Sequence, residues 1–211
     1  MKTVFDFKID FQKSTGSYVY DKNTNQYFLD FFGMFSSLPL GYNHPIFDAS
    51  FEEKIRHVSK IRMANNLFAS DELNDFIKAF RKLTFSEFHH YTCTGALAVE
   101  SAIKCAMEYK KISDPMVLGL KRGFHGINSW GFITDRYSTT ADRIKYYPKN
   151  NWMNIEMTEL LHFLKKRDTS KVVAVIIEPI QCTAGDIYFS KERLGELQQL
   201  CTAEDDCLIV D

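Results

Sequence analysis

The sequence predicts an α/β protein, on three observations. From residue 87 onward, short runs rich in β-formers (88–92, 116–120, 144–147, 172–177 and 208–210) are separated by helical patterns or loops, the rhythm of parallel βα units. The run Val172–Ile177 is apolar on both faces, as expected of a central strand covered by helices on either side. Between the runs, apolar residues recur at helical spacing, as at Leu160, Leu161 and Leu164, and supply the covering faces.

The N-terminal part reads differently. Phe5, Phe7, Ile9 and Phe11 alternate with Asp6, Lys8 and Asp10, a period of two that predicts a half-buried strand or an extended arm. Tyr18-Val19-Tyr20 and Tyr27-Phe28-Leu29, joined by the polar stretch 21–26, predict a β-hairpin. Residues 31–45, with small residues, two prolines and no period, predict an ordered loop. Helical spacing follows at Phe47, Phe51, Ile55 and Val58, then at Leu73, Phe76, Ile77, Phe80 and Leu83 with Ser70 as cap. Glu100 and Lys104 form an i,i+4 pair in a third helix, and Ser190 caps a segment carrying Leu194, Leu197 and Leu200. The chain is divided into residues 1–55, a smaller N-terminal layer, and 56–211, the start of a larger βα layer.

Composition narrows the function classes. With 211 residues, 26 Lys+Arg against 27 Asp+Glu and 45% apolar content, the chain is a near-neutral globular protein rather than a disordered one. It has no dense Lys/Arg stripe, so neither nucleic acid nor an acidic membrane surface is expected as a partner. No apolar run approaches the roughly 20 residues of a bilayer span, and the N-terminus has no uninterrupted signal-peptide core. A cytoplasmic location is expected. The cysteines at 93, 105, 182, 201 and 207 form no CxxC pair and are read as buried thiols in a reducing compartment. No metal is expected, since the histidines show no ligand spacing, and no GxGxxG, GxxxxGK[ST] or GxSxG motif occurs.

Four places carry candidate chemistry. Cys93-Thr94-Gly95-Ala96 ends one β-rich run and opens a helix, so the free N–H groups of Gly95 and Ala96, the Thr94 hydroxyl and the positive helix end suit a phosphate. A tight βα turn needs the same small residues. Gly123-Phe124-His125-Gly126 follows the run 116–120, where open α/β sheets bind ligands. There Phe124 can lie on a planar cofactor with His125 beside it, or Phe124 can plug the core while His125 caps the backbone. Glu178, in Glu178-Pro179-Ile180-Gln181, ends the most apolar run and must find partners or reach a cleft. Asp211 likewise ends Leu208-Ile209-Val210, where it can hold a protonated ring nitrogen or begin a turn.

In this order, the motifs resemble the class III, fold-type-I pyridoxal phosphate (PLP) aminotransferases, and within them the L-lysine 6-aminotransferase branch. The resemblance runs from about residue 15 to the end. It rests on 27–32 (YFLDFF) with Ser36-Ser37, 40–45 (LGYNHP), 95–100 (GALAVE), 123–126 (GFHG), and 178–181 (EPIQ) through Gly185-Asp186. It implies a fold-type-I PLP transferase, here the N-terminal segment of the small domain plus an incomplete large domain. Gly95, Ala96 and Thr94 would hold the cofactor phosphate, Phe124 would stack on the pyridine with His125 beside it, and Asp211 would pair with the ring nitrogen. Glu178 would be a supporting acid, while Phe35, Ser36, Ile127 and Thr183 would stand on the substrate side.

The resemblance also implies an amino-group donor, a 2-oxo acid acceptor and a homodimer at full length. Two positions depart from the branch: Ile127 stands where an arginine meets the substrate's α-carboxylate, and Thr183 where a glutamate follows EPIQ. Both raise the question of whether lysine is the donor. The Schiff-base lysine of such enzymes would lie beyond Asp211, so these 211 residues alone are expected to be inactive. Two other readings fit the same motifs: a non-catalytic truncated PLP-fold binding or interaction module, and a fragment of a semialdehyde aminomutase-type enzyme.

Overall fold

A strand persists only where a neighbour completes its hydrogen bonds and a covering layer takes its apolar face, and both conditions are met after residue 85. The computed structural model describes residues 6–60, 68–127, 130, 152–166 and 168–211. Packing divides the chain into two units, 1–84 and 85–211, so the divide falls later in the chain than the 55/56 division drawn from the sequence.

In the first unit, β1 (Tyr18–Asp21) and β2 (Gln26–Leu29) form the expected antiparallel hairpin. Asp21 closes its turn by accepting the N–H groups of Asn23 and Thr24, and it also accepts Lys8 N–H from the preceding arm. The arm is extended and touches the hairpin through an Ile9–Asp21 bridge. Helix α1 (Ala49–Val58) is capped by Asp48 and α2 (Asp71–Arg81) by Ser70, each side chain accepting an N–H three residues on.

The expected ordered loop contains a left-handed turn, with positive φ at Gly33, Met34, Phe35 and Ser36, a conformation that costs non-glycine residues about 1–2 kcal/mol each. Asp30 holds it: Oδ1 accepts Phe32 N–H and Gly33 N–H, and Oδ2 accepts the Tyr42 hydroxyl at 2.8 Å. Phe35 is left 82% exposed.

The second unit opens with α3 (Gly95–Lys110) and β3 (Met116–Leu120). Then come β4 (Met153–Ile155), α4 (Met157–Lys166), β5 (Val172–Ile177), a short pair β6 (Ile180–Gln181) and β7 (Ile187–Tyr188), α5 (Lys191–Ala203) and β8 (Cys207–Val210). Strands β4-β3-β5-β8 form a parallel sheet in that order. Along β5, Val175 and Ile177 pack with Leu160, Leu164 and Leu197 of α4 and α5. Ala174 and Ile176 pack with Val99, Ile103 and Ala106 of α3. The central strand is thus buried on both faces, as its sequence predicts.

The run 88–92 is not a strand: among the described residues nothing pairs with it, and Phe88 is 83% exposed. β-Propensity without a ladder partner does not suffice. The run 144–147 lies outside the described residues, and β4, β6 and β7 were too short to announce themselves. The cysteines also differ from expectation, since only Cys201 is buried, Cys207 is half-buried, and Cys93, Cys105 and Cys182 are exposed. Cys105 lies on α3 away from the Val99, Ile103 and Ala106 face, while Cys93 and Cys182 stand in turns.

At the edge of the sheet opposite its carboxyl ends, Lys110 bridges α3 to the start of β8. Its ammonium donates to Asp206 Oδ1 at 3.3 Å and to the Asp205 carbonyl at 2.9 Å. Burial lifts the Asp206 carboxyl to about 6 although Lys110 pulls it down. Among the described residues, no helix is long and apolar enough to cross a membrane.

Candidate active site

Parallel strands deliver their carboxyl ends to one rim, and three of them deliver chemistry here: the loop after β3, Glu178 after β5 and Asp211 after β8. Helix α3 brings its N-terminus to the same place. Thr94, in extended conformation, caps it by accepting Leu97 N–H at 3.2 Å, so the hydroxyl hydrogen stays available. The first N–H groups of a helix have no partner within it, and a Cβ built on Gly95 meets nothing within 4 Å. An anion therefore has open access to the Gly95 and Ala96 amides and the positive helix end.

The loop Lys121–Gly126 is stitched down from several sides. Arg122 is left-handed with φ +66°, and Gly123 N–H closes the turn onto the Leu120 carbonyl. Phe124 N–H donates to Glu178 Oε2 at 2.7 Å. His125, 1% exposed, has Nδ1 at 2.7 Å from Asp211 Oδ2, and Asp211 N–H extends the β5–β8 ladder by donating to the Ile177 carbonyl. Gly126 is required twice: its φ is +94°, and a Cβ there would stand 2.6 Å from Ala96 Cβ. This contact seats the loop on the first turn of α3.

The sequence-predicted residues Thr94, Gly95, Ala96, Phe124, His125, Glu178 and Asp211 are thus brought together at one rim. Burial raises the Glu178 carboxyl, with Asp211 pushing the same way, while Phe124 N–H and His125 pull it down. Lys121 and Arg122 face Glu159 and Glu156 at the start of α4, at 3.9 and 3.1 Å. Ile127 is 69% exposed just past the loop, and Thr183 is half-buried in the one-turn helix Cys182–Ala184. Phe35 and Ser36 belong to the other packed unit. Two contributors were not singled out from the sequence: Gly126 as the seat on Ala96, and Gln181, whose buried amide donates to the Lys121 carbonyl at 3.0 Å. A polar residue closing an apolar strand was the available signal for Gln181.

The donor set fits PLP. Unblocked helix N–H groups and a hydroxyl suit its phosphate, a half-buried aromatic ring suits its pyridine face, and a carboxylate braced by a buried imidazole suits its protonated ring nitrogen.

The comparisons agree with this geometry. The fold is that of the lysine aminotransferase of M. tuberculosis in its internal aldimine form, with TM-score 0.84 and 23% identity over 100% of this chain and 56% of that one. The ornithine aminotransferase of Toxoplasma gondii ME49 superposes with TM-score 0.82 and 24% identity over 100% of this chain and 50% of its own. Fold and site define a fold-type-I PLP aminotransferase scaffold. Residues 2–211 match the family model of the class-III aminotransferases, and the chain belongs to that PLP-dependent family. Among relatives, the L-lysine-epsilon aminotransferase of Streptomyces clavuligerus is 26% identical over 98% of this chain and 52% of its own length. The ornithine aminotransferase of Brevibacillus brevis is 27% identical over 94% and 50%. The chain spans about half the length of these relatives.

Proposed function

We propose that the protein carrying this chain transfers an amino group from the terminal amine of an amino acid such as L-lysine to 2-oxoglutarate, with PLP as cofactor, as a cytoplasmic homodimer. The observation that supports this most directly is the convergence of the α3 N-terminus, the Phe124 loop and Asp211 at the carboxyl rim of the sheet. When bound, the cofactor supplies an electron sink for changes at the amino-bearing carbon.

The residues of this chain hold and polarise. Gly95 and Ala96 donate N–H groups to the phosphate and Thr94 adds its hydroxyl. Phe124 covers one face of the ring and excludes water from it. Asp211 keeps the ring nitrogen protonated, and His125 fixes the orientation of that carboxylate from behind. Glu178, with one oxygen committed to Phe124 N–H, supports the ring-facing loop as a nearby acid. Phe35, Ser36, Ile127 and Thr183 stand on the substrate side, residues 1–55 belong to the small domain, and 56–211 open the large one. The 211 residues alone do not turn over, because the Schiff-base lysine is not among them.

A second reading of the donor rests on Ile127. An exposed aliphatic side chain offers a substrate carboxylate no partner, which favours an amine whose other end is uncharged. The test is glutamate formation from 2-oxoglutarate by the full-length protein with L-lysine, L-ornithine and simple monoamines. Turnover with L-lysine supports the first donor, and monoamines alone the second. No PLP uptake and no turnover with any donor would leave a binding module.

A further inference from the structure

We infer that Gln181 is a positioning residue for the ring-facing loop: its buried side-chain amide pins the Lys121 carbonyl and so sets where Phe124 stands. Its functional half rests on the cofactor reading above; the anchoring itself does not.

Gln181 is 1% exposed and lies in β6, paired with Ile187 of β7. Burying a carboxamide is costly unless its hydrogens find acceptors. The acceptor it finds is a main-chain carbonyl 60 residues away, outside any sheet ladder. Lys121 is the residue at which the chain leaves β3, and both its backbone groups are taken: N–H donates to the Ile155 carbonyl at 3.0 Å, and the carbonyl accepts from Gln181. The next residue, Arg122, is left-handed. Such a backbone persists only where its surroundings over-determine it, and the Gln181 bond fixes the peptide that leads into it.

The loop's other side-chain anchors are Glu178, holding Phe124 N–H, and Asp211, facing His125. Both are acids, so their bonds vary with the charge of the site. Gln181 does not titrate, and its hold on the loop is the same whatever the site carries. Two residues beyond Lys121 comes Gly123, then Phe124, so a displacement of the Lys121 peptide is passed to the ring with little chain to absorb it.

The test uses the full-length protein and two variants. Gln181→Met keeps the volume and removes the donor. Gln181→Glu keeps the shape and can donate only when its carboxyl is protonated. Amide hydrogen exchange of the cofactor-free protein is read over 121–126 against 172–177, and PLP affinity is read from cofactor absorbance. In Gln181→Met, exchange over 121–126 is expected to rise about tenfold with 172–177 unchanged, and PLP affinity to fall about tenfold. For Gln181→Glu, affinity relative to the unmodified protein at the same pH is expected to recover as pH falls, a behaviour mere packing would not show. If Gln181→Met does not fold, this recovery carries the test. Unchanged loop exchange and PLP affinity in both variants would overturn the inference. If the unmodified protein takes up no PLP, the cofactor reading fails and the functional half with it, while loop exchange still decides the anchoring.

Discussion

His125 Nδ1 and Asp211 Oδ2 stand 2.7 Å apart, joining a buried imidazole in the loop after β3 to the residue that leaves β8. The pair ties two strand ends together across β5, the strand that separates them in the sheet.

Removing the imidazole takes away both its packing and the partner of Asp211. His125→Ala is expected to destabilise by about 2–4 kcal/mol, from lost buried volume plus a lost hydrogen bond. Asp211→Asn keeps an acceptor oxygen at the same place and is expected to cost about 1 kcal/mol. Urea unfolding of the two variants measures the ranking, and an equal cost would mean that the imidazole only fills space.

Gly126→Ala is expected to fail for two separable reasons. The new methyl would meet Ala96 Cβ at 2.6 Å and Ala96 Cα at 2.9 Å, and the φ of +94° disfavours any L side chain. We expect a loss of about 2–4 kcal/mol, combining overpacking with backbone strain. Adding Ala96→Gly relieves the methyl clash and leaves the strain, so the double variant should recover part of the stability. No recovery would place the whole cost in the backbone.

Asp206 makes stability depend on pH in an unusual direction for an acid. Its carboxyl titrates near 6 when folded, raised first by burial, against an ordinary value of 3.8. Below about 4 it is neutral in both states. As pH rises towards 6 the unfolded chain ionises first, so stability is lost across that window, on the order of 3 kcal/mol in all. Asp206→Asn removes this slope. Unfolding free energies of both proteins at several pH values should therefore show the difference between them shifting in favour of Asp206→Asn between pH 4 and 7. A constant difference would contradict the burial of that charge.

Much of this was legible beforehand. The β5 run Val172–Ile177, the hairpin, and the caps at Ser70, Thr94 and Ser190 follow from local pattern, because short-range hydrogen bonds and two-sided apolar burial leave marks in the sequence. The site residues were readable as types at strand ends. Their partners were not. Phe124 N–H finding Glu178, and Gln181 finding the Lys121 carbonyl, are set by strand order β4-β3-β5-β8, which no local pattern encodes. The same reasoning explains the error at 88–92, where strand-forming residues lack a ladder.

The sequence separations within the site have a consequence for how the protein comes into being. Its defining bonds span 54, 60 and 86 residues, so each closes a long loop whose entropy must be spent before the bond returns anything. During synthesis, the loop after β3 leaves the ribosome long before β5 and β8 exist to receive it. The half-made site then exposes Phe124 and an unanswered imidazole. Cofactor capture is accordingly a late event in the life of the nascent chain, and chaperone demand should be greatest in the interval between the emergence of β3 and that of β8.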